Sequence, residues 1–193
     1  MSDIASTAAA QRTFWNSDAT RRWVTEQARI DRLMGEVTEA AIAAAAPKSD
    51  EHALDIGCGT GTTVLRLAEA VGSGGRVLGV DISEQQLARA RQRVAAADAN
   101  HVQLILSDAA THEFAAESFD LVFSRFGVMF FADPVAAFRN IRTAMRPTGR
   151  LLFAVFRSGP ENPWATAALA AIRHLVTLPA PLGPEEPDRK SVV

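Results

Sequence analysis

This 193-residue sequence has one cysteine, two lysines and no long apolar run. The lone thiol, Cys58, has no partner within the chain, which excludes an intrachain disulfide framework and suits a reducing compartment. No apolar stretch is long enough to span a bilayer. The first residues lack the basic region and apolar core of a secretory signal. The expectation is therefore a cytoplasmic protein with no membrane partner. Lys48 and Lys190 are the lysines, and no cluster of arginines makes up for their scarcity. With a net charge of −2, there is no electrostatic footprint for nucleic acid. No metal site is expected, and no internal repeat is visible. The chain is otherwise ordinary, at 48% hydrophobic and 22% charged residues, in a length that suits one domain with a sizeable core.

The stretch Ala53-Leu-Asp-Ile-Gly-Cys-Gly-Thr-Gly61 organises the rest. A short apolar strand runs into a loop with glycine at every second position, Gly57, Gly59 and Gly61, and then into a helix from Thr62. Glycine is needed where φ is positive or where backbone must approach a ligand closely. A glycine loop between a strand and a helix is the nucleotide-binding arrangement of a doubly wound α/β sheet. The spacing Gly-x-Gly-x-Gly, with Asp55 before it, differs from the dinucleotide fingerprint Gly-x-Gly-x-x-Gly.

Met1 to about Gln11 reads as a loose end. Trp23, Gln27, Ile30, Met34 and Val37 recur at helical spacing, predicting one helix from about Ala19 to Ala46 that Pro47 ends. Gln27 is the polar member of that stripe. Either it sits solvated at the stripe's edge or it faces a ligand beneath the helix. Strands are predicted at 52–56, 76–80, 102–106, 119–124 and 150–156. Helices between them are expected at 62–71, 84–97 and 134–145. Ser83 with Gln86 fits a capping box, and Asp133-Pro134 a cap with proline at the first helical position. Pro147-Thr148-Gly149 reads as a turn. Asn162-Pro163 opens a last helix to about Val176, and a proline-rich tail follows. Such alternation implies a parallel sheet with right-handed crossovers. The domains expected are a tail and helical cap at 1–48, an α/β domain at 49–177 and the tail at 178–193.

Ligands of open parallel sheets bind at the carboxyl ends of the strands. Asp55, Asp81 and Asp108 fall at three consecutive strand ends, and Ser124 and Arg125 at a fourth. A carboxylate at the end of the second strand can accept both hydroxyls of a ribose, and Asp81 is read so. Its plain alternative is a turn residue before Ser83. Cys58 reads as a small space-filling residue. His112 is the one histidine near the strand ends. Arg125 either pairs with an acidic acceptor or meets a neighbouring carboxylate. Phe126 and Phe130 are candidates to line an apolar pocket.

The segments 54–61, Gly79-Val-Asp-Ile-Ser83, Ser107-Asp-Ala109, Ser118-Phe-Asp-Leu-Val122 and Arg146-Pro-Thr-Gly-Arg150 resemble successive motifs of the class I S-adenosylmethionine (SAM)-dependent methyltransferases. The likeness is to the small-molecule branch that includes the quinone-biosynthesis C-methyltransferases. Phe14-Trp-Asn16, Ser124 to Phe131 and Asn162-Pro-Trp164 resemble a bacterial part of it. The resemblance spans about residues 12–176. It implies a Rossmann-like sheet in the order 3-2-1-4-5, an N-terminal helical cap, SAM as cofactor and a small-molecule methyl acceptor. It further implies that Gly57, Cys58, Gly59 and Gly61 line the methionyl part of SAM, and that Asp55 orients the loop and the amino group. Asp81 would hold the ribose, and Ile82 would pack on the adenine. Asp108 and the Ala109 backbone would bond the adenine, and backbone around Ser124 and Arg125 would meet the methionyl end. The helical stripe that carries Trp23 and Gln27, for its part, predicts that the cap covers this pocket with both residues turned toward the sheet.

That family usually carries a hairpin of strands six and seven, for which the sequence beyond Val176 offers no pattern. The expectation is a truncated chain with strand five as a bare apolar edge, inviting self-association through strand five. The alternatives are a catalytically weak or inactive SAM-binding fragment of this fold and, against the glycine spacing, an NAD-dependent oxidoreductase. Ser124-Arg-Phe-Gly127 is also not the Asn/Asp-Pro-Pro-aromatic motif of amino-methylating nucleic-acid enzymes.

Overall fold

Helices occupy the first quarter of the chain. In the computed structural model, residues 2–158 together with 161, 162, 167, 171 and 174 are described. α1 (Ser2–Trp15) is followed by a 3-10 turn (Asp18–Thr20), α2 (Arg22–Thr25), α3 (Gln27–Leu33) and α4 (Gly35–Ala45). The residues expected as a loose end are thus helical. The single helix expected from 19 to 46 is broken at Glu26 (φ −101°, ψ 16°) and Met34 (φ −95°, ψ 5°). Both sit in the bridge region, which bends the chain without ending it. Gly35, poor inside a helix, adjoins the second break. The breaks reset the helical phase: Gln27, Thr38, Ala41 and Ala45 are buried, whereas Val37 is 41% exposed.

The strand–helix alternation follows as expected: β1 (His52–Ile56), α5 (Thr62–Val71), β2 (Arg76–Asp81), α6 (Glu84–Ala96), β3 (Val102–Leu106), β4 (Phe119–Arg125), a 3-10 turn (Val128–Phe130), α7 (Pro134–Ala144) and β5 (Met145–Ala154). All pairings are parallel, in the order β3-β2-β1-β4-β5. The central strands are buried on both faces, as their near-continuous apolar runs require. One layer gathers Ala53, Val64, Leu67, Val77, Leu121 and Phe123, and the other Leu54, Ile56, Val80, Val122 and Ile141.

Two local expectations change. β5 begins at Met145, so Pro147-Thr148-Gly149 lies inside the strand. Phe119 pairs with Met145 but Leu121 with Arg150, so the extra residues form a bulge, where a proline without an N–H does no harm. The capping box at Ser83 does not form. The Ser83 hydroxyl donates to the Trp15 carbonyl at 2.7 Å, and the Glu84 N–H is accepted instead by Asn16 Oδ1 at 3.0 Å. Asp133 does cap α7, accepting from Ala136 N–H at 2.9 Å.

Arg150 ties α4 to the sheet. Its guanidinium donates to the Ala45 and Ala46 carbonyls at 2.8 and 2.7 Å, closing the end of α4, and to both Glu51 oxygens at 2.7 Å. That hydrogen bonding holds the Glu51 carboxyl below its ordinary value of 4.5, with burial opposing. A depressed carboxyl contributes stability above its unfolded pKa and loses it as pH falls. Arg150→Ala should therefore cost about 2–3 kcal/mol in urea unfolding at pH 7, with the gap from wild type narrowing below pH 4.5. A gap that is independent of pH would count against the pairing.

Among the described residues β5 pairs only with β4, and Leu151 and Phe153 are 36% and 46% exposed. The chain divides into two compact units, Met1–Ala154 and Val155–Val193. In the second, the Ser158 hydroxyl donates to Glu161 at 2.7 Å and Arg157 pairs with Glu161. Of the expected last helix, only Asn162, Ala167, Ala171 and His174 are described, and Ala167 and Ala171 are helical. The expected tail at 178–193 lies outside the described residues.

Candidate functional site

Parallel registry brings the candidate residues to one edge of the sheet. Asp55 lies opposite Phe123, Ile56 opposite Val80 and Asp81 opposite Leu106. The loops after β1, β2, β3 and β4 therefore open side by side. Gly57, Gly59 and Gly61 have φ of 69°, 55° and 87°, a region that favours glycine. Gly57 has a second constraint. A Cβ there would stand 2.6 Å from the Cα of Gly127, so the loops after β1 and β4 touch through their backbones. Ser124, fully buried, fastens the same contact. Its hydroxyl donates to the Ile56 carbonyl at 2.8 Å and accepts from Gly127 N–H at 3.2 Å and Val128 N–H at 3.3 Å. The importance of Gly127 was not legible from local pattern.

Asp81 is held by backbone. One oxygen accepts from Gly59 N–H and the other from Ser83 N–H, both at 2.8 Å. Burial raises its pKa, and these donors oppose the rise. The carboxylate is thereby fixed against the glycine loop with lone pairs left over for further donors. Ile82 follows it, its carbonyl accepting from Asn16 at 2.9 Å. Asp108 closes a local turn by accepting from Ala110 N–H at 2.9 Å, and Asn140 of α7 holds the carbonyls of Ala109 and His112 at 3.1 and 2.9 Å. His112 is engaged within its own loop, with Ser107 Oγ at 3.1 Å and its ring against Phe114.

Asp55 is different. One oxygen accepts from the Thr63 hydroxyl, and the other is buried without a hydrogen-bond partner among the described residues. Burial pushes its pKa from 3.8 to about 7, opposed by Thr63 and Arg125 and assisted by Asp81. Arg125, at the end of β4, donates to the Thr38 hydroxyl of α4 at 2.6 Å, and its Nε is likewise buried and unpartnered. Cys58 is buried, and that burial, with Asp81 and Asp55, drives its thiol pKa up. Such a thiol is inert space-filling.

The cap closes on this edge by a network that local spacing does not reveal. Trp15 carbonyl accepts from Ser83 and, at 3.0 Å, from Gln85, which also donates to Thr20 at 2.8 Å. The Trp15 ring meets Trp23 at 6.2 Å and Phe130 at 5.1 Å. Trp23 is half-buried, and its Nε1 is buried without a partner among the described residues. Gln27 is buried but not solvated: its carbonyl accepts from Arg89 at 3.1 Å and its amide donates to Asp31. Asp31 in turn pairs with Arg93 at 3.0 Å and accepts from Thr62 at 2.7 Å, and Arg93 donates to the Thr60 carbonyl at 2.9 Å. α3, α6 and the glycine loop are thus stitched together. Phe126 holds φ 67°, uncommon for a bulky side chain, while its N–H donates to the Ala154 carbonyl. Among the described residues no cluster of histidine, cysteine and acidic side chains could hold a metal ion, and no helix is long and apolar enough to cross a membrane.

Residues 47–179 match the family described as methyltransferase domain. The aklanonic acid methyltransferase DauC of Streptomyces sp. (strain C5) is 38% identical over 115 residues, covering 58% of this chain and 52% of that protein. The demethylmenaquinone methyltransferase of Shouchella clausii is 36% identical over 100 residues, covering 52% of this chain and 43% of that protein. The chain spans about half the length of these curated relatives. A SAM-dependent methyltransferase from Aquifex aeolicus has the same fold, with a TM-score of 0.58 at 16% identity over 86% of this chain and 85% of that one. A glycine loop at the end of β1, an acidic residue at the end of β2 and a family match over most of the chain agree: the chain belongs to the methyltransferase domain family.

Proposed function

We propose that this chain binds SAM across the carboxyl ends of β1 to β4 and serves methyl transfer to a small-molecule acceptor. The observation that carries the reading is Asp81, a carboxylate set by Gly59 and Ser83 N–H groups beside the glycine loop, where a ribose diol would meet it. Gly57, Gly59 and Gly61 keep side chains away from three positions of the loop, and Ile82 would pack on an adenine that Asp108 and the Ala109 backbone would bond. SAM when bound supplies a methyl group on a positively charged sulfur, an electrophile that needs alignment more than activation. The chain's share is to fix the donor's two ends, hold an acceptor in line and keep water out. Trp15, Trp23 and Phe130, gathered at the cap, offer an aromatic wall for a planar acceptor. The named relatives act on aklanonic acid and demethylmenaquinone, which supports an acceptor of small-molecule size.

Asp81→Ala should weaken binding of S-adenosylhomocysteine about tenfold or more by calorimetry, the loss of a charge-assisted contact. Unchanged affinity would remove the ribose assignment, and binding of NADH instead would favour the oxidoreductase. Incubation with methyl-labelled SAM and a small-molecule extract should then label one low-molecular-weight product.

A further inference from the structure

A guanidinium largely withdrawn from water is expensive unless an anion meets it. Arg125 has none within ion-pair distance among the described residues. Its Nη1 donates to Thr38, a neutral hydroxyl, and its Nε is unpartnered. The charged groups around it are Asp55 and Asp31 on the acidic side and Arg93 on the basic side. Asp31 is spent on Arg93, Thr62 and Gln27. Asp55 stays beyond ion-pair reach, with its own second oxygen unpartnered.

These two unsatisfied groups share one face of the sheet. Asp55 lies opposite Phe123 in parallel register, and Arg125 is two positions further along β4, so its side chain falls on the same side as that of Asp55. One adjacent strand end presents a lone acceptor, and the next presents an unmatched cation. The pair complements an ammonium and a carboxylate carried on one carbon. Thr38 brings α4 over the same spot and holds the guanidinium there.

We propose that the Arg125 side chain receives the carboxylate of the methionyl end of SAM, opposite Asp55. This rests on the SAM-binding reading above. It assigns to the guanidinium what the sequence resemblance assigns to backbone around Ser124 and Arg125. It also gives the cap a direct part in cofactor binding, through the hydroxyl of Thr38. The other source of a carboxylate, an acidic methyl acceptor, is separated by the test.

The probes are S-adenosylhomocysteine, its decarboxylated analogue and methylthioadenosine, which keeps the nucleoside but has no amino-acid end. Calorimetry on the full chain should show wild type preferring S-adenosylhomocysteine over the decarboxylated analogue by about tenfold or more. Arg125→Met should erase that preference while binding methylthioadenosine within about twofold of wild type. Thr38→Val, which removes the hydroxyl anchor alone, should shrink the preference in the same direction. It supplies the answer if Arg125→Met fails to fold. Retention of the wild-type preference in the variants overturns the proposal and leaves the carboxylate to the acceptor. Equal loss of all three ligands also overturns it, because Arg125 would then only support the cap. Wild type binding none of the three defeats the SAM-binding reading itself.

Discussion

Gly57→Ala is expected to abolish binding of S-adenosylhomocysteine and to lower stability by about 3 kcal/mol or more. Two penalties combine at this position. The backbone is left-handed at φ 69°, which costs an L side chain about 1–2 kcal/mol. The added Cβ would also stand 2.6 Å from the Cα of Gly127. That neighbour is backbone and cannot rotate away, so the loops after β1 and β4 must part, at an overpacking cost of about 1–3 kcal/mol. Gly35→Ala is the matching control. Nothing lies within 4 Å of a Cβ there, and the position is helical, so the change should add about 0.5–1 kcal/mol. Urea unfolding of both variants checks the pair. Similar stabilities for the two would show that the contact between the two loops is not a constraint on the fold.

Asp55→Asn should move stability and binding in opposite directions. The carboxyl sits in β1 with its pKa pushed by burial to about 7 from 3.8. A pKa raised in the folded state contributes stability that is complete below the unfolded value and lost as pH rises through the folded one. The wild type therefore pays progressively between pH 4 and 7, and the loss levels off above that. A shift of about 3 units corresponds to an upper bound of roughly 4 kcal/mol. Asparagine cannot ionise and can still accept from Thr63. The variant should thus match wild type near pH 4 and melt at a higher temperature at pH 8. It should bind S-adenosylhomocysteine about tenfold or more weakly, because the ammonium loses a charged partner. Thermal unfolding from pH 4 to 8 together with calorimetry tests both halves. A variant less stable than wild type at pH 8 would contradict the buried, poorly matched carboxylate.

The sheet was legible because its signals are local. Apolar runs such as Leu121-Val-Phe123, the glycine punctuation from Gly57 to Gly61 and the cap Asp133-Pro134 each act within a few residues, and their alternation implies parallel pairing, whereas the order 3-2-1-4-5 rests on the family resemblance. The cap was legible only in part. Its apolar stripe announced a helix, but the bends at Glu26 and Met34 arise where the chain turns to reach α6 and the sheet, and no periodicity encodes that. Asn16 caps α6 from 68 residues away, a partner that the local pattern at Ser83 and Gln86 does not reveal. Gln27 stands out in the sequence as the odd residue on its stripe. Its partner Arg89, like Asp31 and Arg93, is visible only once α3 and α6 lie side by side. The three aspartates were found by their strand ends. That Asp81 is satisfied by backbone whereas Asp55 is not depends on burial and could not be read from spacing.

Hydrogen exchange of the full chain with and without S-adenosylhomocysteine tests the placement of the cofactor most directly. The prediction is protection in three separate segments, the glycine loop at 55–63, the end of β2 at 79–85 and the end of β3 at 106–111, with smaller protection in the cap around Trp15. Protection confined to other surfaces, or none at saturating ligand, would contradict a SAM site at these strand ends.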